Sequence, residues 1–166
     1  MDLSNARSNA IVLDPFCGTG TSILEAALIG CDAIGADVQR RMILGTRKNL
    51  THFGVSADVI VADARKLPFI KVDAVVTDPP YGKSATTLKS STKMLVVNVL
   101  SSAKSLLCVG QRICIASPKT LQIAKIGKAL GYKHVESHFA YVHRSLTREI
   151  AVFEKEIAEK QVEAER

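Results

Sequence analysis

The sequence predicts an α/β fold: a mostly parallel sheet of seven strands with helices on both faces, ending in an antiparallel hairpin. Three observations lead there. Short β-branched runs bounded by Gly, Asp or Pro alternate with longer segments of helical period, the pattern of successive βαβ units. The run VDAVVTD at 72–78 is apolar, as a central parallel strand buried on both faces must be. The closing stretch HVESHFAYVHRSLTREIAVFEK alternates in polarity and doubles back through SLT, the mark of two antiparallel strands.

Taken in order, IVLD (11–14) is the first strand, followed by a turn and a helix over Thr21–Ile29 that stops at Gly30. DAIGAD (32–37) is the second strand. VQRRMILGTRKNLTHFG carries Met42, Leu44, Leu50 and Phe53 among basic residues, an amphipathic helix with Gly54 as its C-cap. DVIVAD is the third strand, ending at Asp63, and 72–78 the fourth. A loop and a helix fill 84–108, RICIAS (112–117) is the fifth strand, and LQIAKIGKALG (121–131) is a helix closed by Gly131. The hairpin supplies strands six and seven. The acidic end EIAEKQVEAER has few apolar positions, so a single domain over residues 1–154 is expected to carry a frayed tail over 155–166.

A length of 166 residues allows one ordinary domain. With 47% apolar and 23% charged residues, the composition excludes wholesale disorder and a fibrous architecture. No stretch reaches the roughly 18 apolar residues of a membrane span, and the opening MDLSNARSNA has no apolar signal-peptide core, so a cytoplasmic protein is expected. Cys17, Cys31, Cys108 and Cys114 form no C-x-x-C pair and read as reduced core thiols. Residues 154–166 hold five Glu against three Lys or Arg, so the rest of the chain carries +8 where the whole carries +6. A basic body with an acidic end favours a polyanionic partner such as nucleic acid.

The first chemical feature is DPFCGTGT at 14–21, between a strand and a helix. Gly18 and Gly20 permit a tight turn and a close ligand approach. Ile23 stands where the dinucleotide fingerprint needs its third glycine, and the phosphate-loop spacing is absent. Asp14 puts a carboxylate where a phosphate would want none, so an amine-bearing ligand fits better. Asp37 and Asp63 end the next two strands, and ligands of doubly wound sheets bind at the carboxyl ends of strands. An ammonium near Asp14, a ribose on Asp37 and an adenine amine on Asp63 together describe S-adenosylmethionine.

The second feature is VVTDPPYG at 75–82. Two prolines end the strand and donate nothing, so the turn presents acceptors. The Asp78 carboxylate and the Pro79 carbonyl suit the two hydrogens of one NH2 group, and the Tyr81 ring suits stacking on the base that carries it. An exocyclic amine is a poor nucleophile because its lone pair is delocalised into the ring. Acceptors that hold its hydrogens out of plane localise that pair and aim it at a methyl electrophile.

Together, DPFCGTG, GADVQRRMILGTRKNL, ADARKLPF, TDPPYGKS and HRSLTREI, in that order, resemble the tRNA guanine-N2 methyltransferases that carry a THUMP region, over about residues 5–154. The resemblance implies a Rossmann-like class I methyltransferase fold, with S-adenosylmethionine contacts at Asp14, Gly18, Gly20, Asp37 and Asp63 and at Pro15, Phe16 and Ala64 of the same segments. It implies catalysis at Asp78, Pro79, Pro80 and Tyr81, and a guanosine of tRNA, position 10 in the archaeal branch, as the acceptor. Members carry an N-terminal THUMP region that grips tRNA. This chain begins after it, so a THUMP-type region is expected in cis or in trans.

Arg144 and Arg148 flank the hairpin loop at the carboxyl end of the sheet, and Lys83, Lys89 and Lys93 follow the catalytic turn. These five are read as a ring of phosphate contacts, with Lys83, Arg144 and Arg148 the substrate-binding candidates. His134 and His138, four apart on one strand, are read as sharing a face without Cys or carboxylate partners, so no metal site is expected. Three alternatives stay open: a DNA adenine or cytosine amino-methyltransferase, which needs a target-recognition region; an rRNA guanine-N2 methyltransferase, whose branch more often has Asn in place of Asp78; and a non-catalytic S-adenosylmethionine-binding subunit, which has no need of the 78–81 turn.

Overall fold

The computed structural model describes residues 4–80, 92–143 and 146–157. These residues form one seven-stranded sheet flanked by helices: β1 (Ile11–Asp14), α1 (Thr21–Leu28), β2 (Asp32–Asp37), α2 (Arg40–Phe53), β3 (Asp58–Val61), β4 (Ala74–Thr77), α3 (Thr92–Leu106), β5 (Arg112–Pro118), α4 (Ile123–Ala129), β6 (Tyr132–His143) and β7 (Leu146–Lys155). The strand order is β3-β2-β1-β4-β5-β7-β6. The first five strands pair in parallel, and β7 lies antiparallel between β5 and β6. The order reverses between β1 and β4, where Leu13 stands opposite Val75, which puts the turns after these two strands side by side at the carboxyl edge.

Successive strand residues point to opposite faces, and this divides the core in two. Leu13, Val75, Ile113, Ile115, Ala151 and Phe153 pack under Val96, Val99 and Leu100 of α3 and Ile123 of α4. Val12, Ala33, Val59 and Ala74 pack under Ile23 and Ala26 of α1 and Ile43 and Leu50 of α2. In α4 the Phe153 ring lies so close to Gly127 that an added Cβ would overlap it.

Several boundaries and faces differ from the sequence expectation. The buried stripe of α2 is Ile43, Thr46 and Leu50, while Leu44 and Phe53 are exposed. A threonine belongs there because its hydroxyl is satisfied by the carbonyls of Gly18 (2.9 Å) and Met42 (3.2 Å). The β3 ladder ends at Val61, two residues before Asp63. The helix expected over 121–131 is shorter, preceded by a 3-10 turn over Lys119–Leu121 and by Gln122 at φ 53°. His134 and His138 lie on opposite faces, because a bulge between His134 and Glu136 sets them opposite Phe153 and Ile150, an odd number of residues apart. Cys17, Cys31 and Cys114 are buried thiols, but Cys108 is exposed. The tail expected over 155–166 lies outside the described residues beyond Ile157. Among the described residues no helix is long and apolar enough to cross a membrane.

Candidate functional site

The glycine turn between β1 and α1 is held from two sides, by α2 and by β2. Gly18 and Gly20 take φ of +54° and +93°, which a side chain would strain. A Cβ on Gly20 would come within 2.5 Å of Thr46 Cγ2, so α2 packs directly on the turn. Cys17 donates its amide to the Ala36 carbonyl at 2.9 Å, tying the turn to β2. A Cβ on Gly18 would meet only Phe16 O, at 3.9 Å, among the described residues, which leaves that side of the turn open to a ligand. Burial pushes the Cys17 thiol up to about 12, so it stays protonated and is no nucleophile.

Asp14 ends β1 and is 2% exposed. Its Oδ1 accepts from the Phe16 amide (3.0 Å) and from Thr77 Oγ1 at the end of β4 (2.8 Å). Burial pushes the carboxyl up to about 6, against the donors Phe16, Thr77 and Ser22, and the nearby Asp78 charge adds to the rise. A buried carboxylate held by neutral donors favours a cationic group beside it.

Asp37 ends β2 with both oxygens engaged by backbone: Oδ2 accepts from Gly18 N at 3.2 Å and Oδ1 from Gln39 N at 2.7 Å. The carboxylate is therefore pre-positioned beside the turn, with lone pairs remaining for hydroxyl donors. Asp63 is arranged differently. Arg65 donates from Nε to both carboxylate oxygens (2.9 and 3.0 Å) and from Nη2 to Oδ2 (2.5 Å), and its hydrogen bonds, ahead of its charge, hold the Asp63 carboxyl below the usual carboxylate range. Ala64 is buried in the larger apolar cluster. An adenine amine approaching Asp63 would share it with Arg65, a neighbour that sequence reasoning missed although the i, i+2 spacing across a turn signals it.

The second turn follows β4. Thr77 is 4% exposed, Asp78 is exposed, Pro79 is buried and Pro80 is half-buried. Asp78 Oδ2 accepts from Nη1 of Arg148 in β7 at 2.9 Å. Arg148 thus lies at the catalytic candidate. Pro15 is buried, and Phe16 packs against the larger apolar cluster. Gly18 and Asp37 are directly hydrogen-bonded, and Asp14 at the start of the same turn is bonded through Thr77 to the residue before Asp78. Tyr81, Lys83, Lys89 and Arg144 lie outside the described residues, and Lys93 is exposed at the start of α3. Among the described residues no group of three His, Cys, Asp or Glu could hold a metal.

A parallel sheet that reverses between β1 and β4, an antiparallel β7 and a glycine turn facing strand-end carboxylates define a Rossmann-like methyltransferase domain. The chain belongs to the family described as UPF0020, RMKL-like, methyltransferase domain, whose model matches residues 1–150. It is 44% identical over 158 residues to a tRNA (guanine(10)-N2)-dimethyltransferase of Methanothermobacter thermautotrophicus, covering 93% of this chain and 46% of that protein. It is 35% identical over 153 residues to the protein of the same name from Pyrococcus abyssi, covering 89% of this chain and 46% of that one. The crystal structure of TrmN from Thermus thermophilus superposes with a TM-score of 0.77 at 28% identity, over 92% of this chain and 46% of that one. The chain spans about half the length of these relatives. Family and fold together imply S-adenosylmethionine as the cofactor, and the open glycine turn and the buried Asp14 fit it.

Proposed function

We propose that this chain is the methyl-transferring part of a tRNA guanine-N2 methyltransferase that acts at position 10. The observation that carries the reading is the adjacency of two turns: the glycine turn after β1 and Asp78-Pro79-Pro80 after β4 leave neighbouring strands at one edge, joined by the Thr77 to Asp14 bond. The names of the similar archaeal proteins support the substrate.

When bound, S-adenosylmethionine supplies a methyl group on a sulfonium, an electrophile that needs no further activation. Asp14 and Ser22 face its ammonium end, Asp37 takes ribose hydroxyls, and Asp63 shares its carboxylate between Arg65 and the adenine amine. Asp78 and the Pro79 carbonyl accept the two N2 hydrogens of guanine and hold them so that the nitrogen lone pair is no longer delocalised into the ring. The N2 nitrogen that Asp78 and Pro79 orient would take the methyl from the sulfonium bound there, and Asp78 or water would accept the N2 proton released. Tyr81 stacks on the target base, and Lys83 and Arg144 contact phosphates. A THUMP-type region in cis or in trans grips the tRNA, and the enzyme works in the cytoplasm.

The test is methyl transfer from labelled S-adenosylmethionine to unmodified tRNA and to DNA, followed by nucleoside analysis, with wild type and Asp78→Ala. N2-methylated guanosine from wild type alone is the expected result, with a THUMP region restored if the chain by itself does not retain tRNA. Methylated adenine or cytosine in DNA would overturn the assignment.

A further inference from the structure

Arg148 lies in the middle strand of the antiparallel part of the sheet, with Pro118 of β5 on one side and Ala140 of β6 on the other. Its guanidinium reaches across the end of β5 to the carboxylate that follows β4, 70 residues earlier in the chain. The supports at both ends are stiff. Arg148 is fixed by two ladders, and Asp78 stands between the last ladder residue of β4 and two prolines of restricted φ. The Asp78 side chain is 45% exposed, and the terminal torsion of a carboxylate is broad unless its oxygens are held.

We propose that Arg148 is a positioning residue for Asp78: its guanidinium sets the carboxylate plane relative to the Pro79 carbonyl, so that the two acceptors meet both hydrogens of one exocyclic amine. The inference rests on reading the site as an amino-methyltransferase. It gives Arg148 a role at Asp78 that differs from the phosphate contact expected from the sequence, since Nη1 donates to the Asp78 carboxylate. A charge-assisted N–H to carboxylate bond is among the stronger side-chain contacts, and a planar guanidinium restricts its partner in direction as well as distance. Misplacing a reacting group by about 1 Å costs on the order of a hundredfold in rate, so an acceptor left to rotate loses much of its use.

Two measurements test this. In steady-state methylation of tRNA, Arg148→Gln is expected to lower kcat by about 10–100-fold with KM for tRNA changed less than about twofold, and Arg148→Lys to recover part of the loss. A raised KM with kcat retained, together with a salt slope of tRNA binding reduced by about one, would restore the phosphate contact and overturn the proposal. The second measurement needs no turnover: guanidinium 15N spectra of the wild-type protein and of Asp78→Asn. Hindered rotation of the Arg148 guanidinium in wild type, released in Asp78→Asn, is expected. A freely rotating wild-type guanidinium overturns the proposal whatever the acceptor. Hindered rotation in a protein that methylates no guanosine would keep the Arg148 to Asp78 relation and count against the functional reading alone.

Discussion

Thr77 Oγ1 donates to Asp14 Oδ1 at 2.8 Å, so the last residue of β4 is bonded to the last residue of β1 one position before Asp78. One buried hydroxyl thereby links the turn after β1 to the turn after β4. Thr77→Val keeps the shape and removes the donor from a buried carboxylate, and is expected to cost about 1–3 kcal/mol of stability. Thr77→Ser is expected to retain most of it. Urea unfolding of the three proteins measures this, and equal midpoints would show that the bond contributes nothing.

The pH dependence of stability follows from Asp14, whose carboxyl moves from an ordinary 3.8 to about 6 on folding. Between those values the folded chain binds more protons than the unfolded one, so the Asp14 contribution falls as pH rises from 3.8 to about 6 and is constant above. At about 1.4 kcal/mol per unit the loss is at most about 3 kcal/mol. Chemical denaturation of wild type and Asp14→Asn from pH 4 to 7 isolates it as a difference curve that declines with pH. A flat difference curve would place the Asp14 titration elsewhere. For the same reason, a cationic ligand at Asp14 is expected to bind more tightly as pH rises through about 6.

Gly127→Ala reverses the usual helix preference. Alanine favours a helix interior by about 1 kcal/mol over glycine, but here its Cβ would overlap the buried Phe153 ring. The variant is expected to lose about 1–3 kcal/mol by overpacking, and the double variant Gly127→Ala, Phe153→Leu to lose less than the two single changes together. Additive midpoints in thermal unfolding would show that the ring is not the obstacle.

Ser117 is 0% exposed and its Oγ makes no hydrogen bond among the described residues, although its ladder partner Glu149 accepts from Ser137 at 2.9 Å. An unmet buried hydroxyl is a cost, so Ser117→Ala is expected to leave stability unchanged or to raise it by up to about 1 kcal/mol. A loss of more than about 1 kcal/mol would mean that the hydroxyl has a role that no hydrogen bond reveals.

Much of this was legible in the sequence because it is local. The alternation of strand and helix, the turn at Gly18 and Gly20, and Asp14 and Asp37 at strand ends depend on short windows in which backbone preference and burial agree. What was not legible depends on register. His134 and His138 change faces through a single extra residue in β6, which residue spacing does not mark. The pairing of Arg148 with Asp78 needs β7 to enter the sheet beside β5 at one offset. The face of α2 was misread because a threonine occupies the buried stripe, where hydropathy alone favours Leu44 or Phe53.

β7 follows β6 in the sequence yet lies between β5 and β6 in the sheet. As a ribosome releases the chain, the glycine turn and the Asp78 turn emerge long before the residue that contacts Asp78. A nascent chain halted between residues 118 and 146 holds Asp14, Asp37, Asp63 and Asp78 but lacks the Arg148 contact to Asp78. Its sheet also ends on an exposed β5, an open edge that invites wrong pairing. Formation of the Arg148 to Asp78 contact and protection of that edge therefore depend on the same strand, and a chain that lacks the one lacks the other.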